Sequence, residues 1–74
     1  MKTLDLHRTK HEDARGLVVR FIEANWLSGD MVDIITGNSN NMRNIVLEVL
    51  QDYDVEYNIG CMSGYNNGYI RVRL

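Results

Sequence analysis

With 74 residues, 45% hydrophobic and 24% charged, the chain has material for one globular domain over residues 1–74 and no second core. Its one cysteine, Cys61, excludes an intrachain disulfide and a zinc-finger spacing, so a reduced, cytoplasmic setting is expected. The net charge of −2 argues against bulk attraction to phosphate, and no apolar run reaches the roughly 18–20 residues of a membrane span, so no membrane partner is expected.

The charge is unevenly placed. Residues 1–20 carry five basic and three acidic groups, and residues 59–74 carry Arg71 and Arg73 with no acid. Residues 21–58 carry seven acids and one base, Arg43. A local basic face built from the first and last elements is therefore compatible with the negative total.

The first element reads as a strand over residues 3–7, "TLDLH". Its alternation turns Leu4 and Leu6 to one face and Asp5 and His7 to the other. His7 then stands at the carboxyl end of a strand, where βα folds tend to place ligands. A carboxylate beside an imidazole holds it in one tautomer, the usual support for a histidine that moves a proton. The other reading is a solvated Asp5 and a His7 that caps the following loop.

From Thr9, "TKHEDARGLVVRFIEANW" puts Ala14, Leu17, Val18, Phe21 and Ala24 or Asn25 on one helical stripe. Thr9 with Glu12 three residues on has the form of a capping box. Gly16 inside the helix predicts close packing there, since glycine is otherwise unfavourable in a helix. His11 is four residues from His7, but that spacing crosses a strand–helix boundary and does not make a helical metal pair.

"MVDIIT" at 31–36 predicts a second strand, rich in β-branched residues, and "GNSNN" at 37–41 a turn-prone loop. Met42, Ile45, Val46, Val49, Leu50 and Tyr53 then mark the clearest helix, over 42–53. A strand running through a glycine turn onto a helix start aims backbone N–H groups and the positive helix end one way, which suits a phosphate. Thr36, Gly37, Asn38 and Ser39 line that turn, and Arg43 could add a charge-assisted contact. The plainer alternative is a βα loop capped by Ser39, Asn40 or Asn41.

"VEYNI" at 55–59 and "GYIRVRL" at 68–74 predict the last two strands, and "GCMSGYNNG" between them is too long for a tight hairpin turn. Cys61 and Met62 read as packing residues. Tyr69, Arg71 and Arg73 alternate along the final strand, and on an open face they could stack on bases and pair with phosphates. Equally, they could form an ordinary solvent face over which arginine stems lie.

The predicted order is βαβαββ, an α/β chain of the two-layer α+β kind. Two right-handed crossovers would set both helices on one face of a four-stranded mixed sheet and leave the other face partly open.

Taken together, these stretches resemble a small MutS-related (Smr) domain over essentially the whole chain. "LDLHR" is similar to the family's opening LDLHG-type strand, and Glu12-Asp13-Ala14 to its first helix start. "ITGNS" followed by "MRNIVLEVL" is similar to its TGxG turn and helix, and "NNGYIRVRL" to its closing strand. Arg8 stands where the family has glycine, and Ser39 stands at the second glycine of TGxG.

The resemblance implies a sheet similar to the C-terminal domain of a bacterial translation initiation factor. It also implies nucleic-acid binding, often with endonuclease or nicking activity. The family's motifs fall on Asp5, His7, Thr36 and Gly37. On this expectation Asp5 and His7 are catalytic. Arg8, Lys10, Thr36, Gly37, Asn38, Ser39, Arg43, Tyr69, Arg71 and Arg73 contact DNA or RNA. No cofactor is required, although Mg2+ or Mn2+ held by Asp5 and a phosphate oxygen is compatible. A module that binds without cutting, and a protein-interaction domain that docks or homodimerises through its second helix, are the alternatives.

Overall fold

Short alternating runs make strands, and two amphipathic stretches make helices. The computed structural model describes residues 2–37, 39–61 and 68–74. Along the chain come β1 (Lys2–Asp5), α1 (His11–Ala24), β2 (Met31–Ile35), α2 (Asn40–Tyr53), β3 (Glu56–Cys61) and β4 (Gly68–Arg73). This is the α+β order read from the sequence. Among the described residues, no helix is long and apolar enough to cross a membrane.

The strands lie in the order β1-β2-β4-β3. β1 pairs parallel with β2, and β4 runs antiparallel to both β2 and β3. The last strand in the chain thus fills the gap between the second and the third.

One face of the sheet presents Val32, Ile34, Ile70 and Val72, all buried. They pack with Leu6, with Ala14, Val18 and Ile22 of α1, and with Met42, Val46, Val49 and Leu50 of α2 in a single cluster. Both helices therefore cover the same face. Each fully buried aliphatic side chain contributes roughly 1.5–3 kcal/mol.

The opposite face is only partly open. Across the sheet, Thr3, Asp33, Arg71 and Asn58 stand in one row, and Asp5, Ile35, Tyr69 and Gly60 in another. Arg71 donates from Nε at 2.9 Å and from Nη2 at 3.3 Å to the two oxygens of Asp33. Its guanidinium also lies 5.5 Å from the centre of the Tyr69 ring. That ring covers Gly60, where a Cβ would collide with it.

Several boundaries differ from the sequence reading. β1 stops at Asp5 instead of His7, because the chain turns away there. α1 has Lys10, not Thr9, at its N-cap, and no side chain caps it. Its buried stripe runs Ala14, Val18, Ile22 and Asn25, while Leu17 and Phe21 pack on the flank and Ala24 is exposed. Asn25 is satisfied by donating from Nδ2 to the Phe21 carbonyl at 2.7 Å. Gly16 is not closely packed, since a Cβ there would meet nothing within 4 Å. α2 keeps its predicted stripe and starts two residues earlier, at Asn40. β3 extends to Cys61, which stands opposite Gly68. Met62 and the rest of the β3–β4 connection lie outside the described residues, as does the side chain of Cys61.

Candidate functional site

β1 and β2 end side by side. The Leu6 amide still donates to the Ile35 carbonyl at 2.8 Å, which buries Leu6 and holds the chain against β2. Next, the Asp5 carboxylate accepts the His7 backbone N–H at 3.0 Å. An aspartate that captures the amide two residues on turns the chain, and so draws His7 out of the strand. Thr9 N–H closes the turn onto the Leu6 carbonyl at 3.0 Å.

The same carboxylate oxygen, Oδ1, lies 2.6 Å from His7 Nδ1. An ionised carboxylate only accepts, so Nδ1 is the donor and the other ring nitrogen, Nε2, is left for a ligand. Both side chains are about half exposed. The His7 side-chain hydrogen bond, then the His7 amide, hold the Asp5 carboxyl below its ordinary 3.8, with the charges of His7 and Arg8 adding against slight burial.

Gly37 meets this pair from β2. Its φ of +67° lies in the left-handed region, and a Cβ built on it would stand 3.4 Å from the His7 Cβ. Thr36 is buried, with its hydroxyl donating to the carbonyls of Gly37 at 3.2 Å and Gly68 at 3.3 Å. The backbone amides of Thr36 and Gly37 both donate to the Gly68 carbonyl, at 3.0 and 3.2 Å. They are therefore not the phosphate donors that the sequence reading expects of this turn. Pairing with the incoming β4 consumes them.

The remaining donors belong to α2. Ser39 is its N-cap, and Oγ accepts the Met42 amide at 3.1 Å while the Ser39 carbonyl accepts the Arg43 amide at 3.0 Å. Of the three capping candidates, the serine takes the role. The amides of Asn40 and Asn41 have no acceptor within the helix, and the first turn of α2 carries no acid.

Arg43 folds back from that turn onto the glycine backbone. A Cβ on Gly68 would come within 3.0 Å of its Nη2 and 2.8 Å of the Gly37 carbonyl. Nη1 donates to Asn40 Oδ1 at 3.4 Å, and Nε is buried with no hydrogen-bond partner. Among the described residues, no carboxylate pairs with Arg43.

One patch thus gathers the solvent-reaching Asp5, His7, Ser39 and Arg43 around Thr36 and Gly37, which are buried. Arg8 and Lys10 flank it on the exposed turn after His7, and Asn38 lies outside the described residues. Gly68 belongs to the patch and was not among the residues expected. Its only signal in the sequence is a glycine just before the β-branched run of β4. Tyr69 and Arg71 lie on the open sheet face, engaged with Gly60 and Asp33. Arg73 stands opposite Met31, at the other end of β2 from the patch.

Among the described residues, no three His, Cys, Asp or Glu side chains gather as a metal site. Two contacts from His7 already occupy Asp5 Oδ1, so a divalent ion would draw on Oδ2 and on phosphate oxygens. Comparison with protein families, with curated proteins and with solved structures finds no match.

Proposed function

We propose that this patch grips a nucleic-acid phosphodiester and that His7 moves a proton in its cleavage, as expected of an Smr-like endonuclease. The 2.6 Å contact between His7 Nδ1 and Asp5 Oδ1, next to Gly37, supports this reading most directly. With Nδ1 held, Nε2 takes the proton from the attacking hydroxyl, of water or of a ribose, as the new P–O bond forms. The scissile P–O bond breaks, and its leaving oxygen takes a proton from solvent. Arg43 and the start of α2 face the phosphate oxygens, where negative charge develops. Arg8 and Lys10 hold the flanking backbone.

Replacing His7 by alanine separates chemistry from binding. Cleavage of short DNA or RNA should fall about 10²–10⁴-fold, the usual worth of a positioned acid–base group. Binding to the same oligonucleotide should hold within a few-fold. Equal loss of both would remove His7 from the chemistry.

The commitment of the Thr36 and Gly37 amides to Gly68 favours a second reading, binding without cleavage. Ser39, in place of a family glycine, caps α2 and adds a side chain at the same turn. A wild-type sample that retards DNA or RNA and leaves it intact with Mg2+ or Mn2+ present would select it.

A further inference from the structure

α1 and α2 start at the carboxyl ends of the parallel strands β1 and β2, so both helices end at the opposite end of the sheet. A helix C-terminus carries partial negative charge and is commonly offset by a lysine or arginine in its last turn. Neither helix has a basic residue there. Glu23 sits in the last turn of α1 instead, Asp52 in the last turn of α2, and Asp54 is the C-cap of α2. Two negative helix ends and three carboxylates thus gather at one pole.

Two aromatic rings stand in that field. Trp26, just after α1, and Tyr53, the last residue of α2, have centroids 5.4 Å apart and planes tilted by 57°. With Glu23 they line a concavity of about 350 Å³. Trp26 is 44% exposed, and Leu27, next in the chain, is 79% exposed with a left-handed φ of +58°. Burial, and then the charge and hydrogen bonding of Glu23, push the Tyr53 phenol up. Asp52 is taken up by Arg15 at 3.1 Å, whereas Glu23 has no ion-pair partner among the described residues. Among those residues, no cation of the chain lies over Trp26 or Tyr53.

We infer that the Glu23–Trp26–Tyr53 cleft receives the lysine or arginine side chain of a protein partner. Aromatic faces attract a cation within about 6 Å, and a carboxylate in the wall adds an ion pair. The concavity is larger than an ammonium group alone, so the methylene stem has room to lie on the rings. Leu27 offers an apolar contact for the partner residue next to the cation.

Trp26 is the one tryptophan in the chain, so its fluorescence reports on the cleft. The full chain is titrated with N-acetyl-arginine amide, N-acetyl-lysine amide, the neutral isostere N-acetyl-citrulline amide, and tetramethylammonium. The cationic amino-acid amides should give a saturable change at roughly millimolar concentration, weakened by salt, and citrulline amide should give none. Glu23→Gln, at an exposed position, should weaken the arginine response about threefold or more. Equal responses to arginine and citrulline amides, or no saturable response to either cation, would overturn the proposal. Saturation by tetramethylammonium alone would overturn it too, by assigning the cleft to quaternary ammonium ligands.

Discussion

Gly16 sits in mid-helix with open space where a side chain would stand. Its backbone is helical, so alanine fits without strain and lowers the entropy lost on folding. Gly16→Ala should raise stability by about 0.5–1 kcal/mol, read as a higher urea midpoint at unchanged slope. Asp5 predicts a pH effect of definite sign. Its carboxyl is held below 3.8, so its pair with His7 favours the folded protein above that value. That contribution fades as pH falls through the lowered folded value. An NMR titration should place the Asp5 inflection under 3.8, and His7→Ala should return it towards the ordinary value. The pairing of these two residues was legible from their spacing, but its cause was not. A pleated strand predicts neighbours on one face, whereas an aspartate turn actually joins them. Gly68 was not legible, because its role comes from strand pairing 31 residues away from Gly37 in the chain.

At the scale of elements, α2 is the best case for sequence reading. Its apolar stripe is regular, and Ser39 ends the preceding loop with an oxygen on the Met42 amide. Ser39→Ala should cost about 1 kcal/mol in chemical denaturation by freeing that amide. α1 reads less well. Its start depends on where the chain leaves β1, and the Leu6–Ile35 bond and the Asp5 turn decide that. Such contacts carry no local signature, so Thr9 resembled a cap without being one. The stripe itself is rotated towards Ile22, since the side chain that faces the sheet depends on how α1 packs beside α2. On the last strand, alternation placed Arg71 correctly on the open face. Only the register shows that Asp33 stands directly opposite and holds it.

Across the whole molecule, charges of both signs stand at each end of the sheet. The patch end has Arg8, Lys10, Arg43 and the start of α2 beside Asp5, Glu12 and Asp13, while the other end has Arg73 and the carboxylates around Trp26 and Tyr53. Single-stranded binding loses about 0.7 in log affinity per tenfold salt for each phosphate neutralised. Three cations at the patch predict a slope of about −2, measured by fluorescence anisotropy with a labelled oligonucleotide. Arg43→Gln should reduce the steepness by roughly 0.7, and Arg71→Gln should leave it unchanged because Asp33 already holds that arginine.

β4 lies in the middle of the sheet, and this sets how the protein must assemble. Until residues 68–73 dock, β3 has no neighbour and β2 has only β1. Pairs such as Met31 with Arg73 span 42 positions of the chain, so the decisive step is a late, long-range insertion. Helices and early strands can form only transiently beforehand, with bare strand edges that invite neighbouring chains. The protein should therefore fold as a single cooperative event, and a fragment that stops before β4 should clump in place of forming a smaller stable unit.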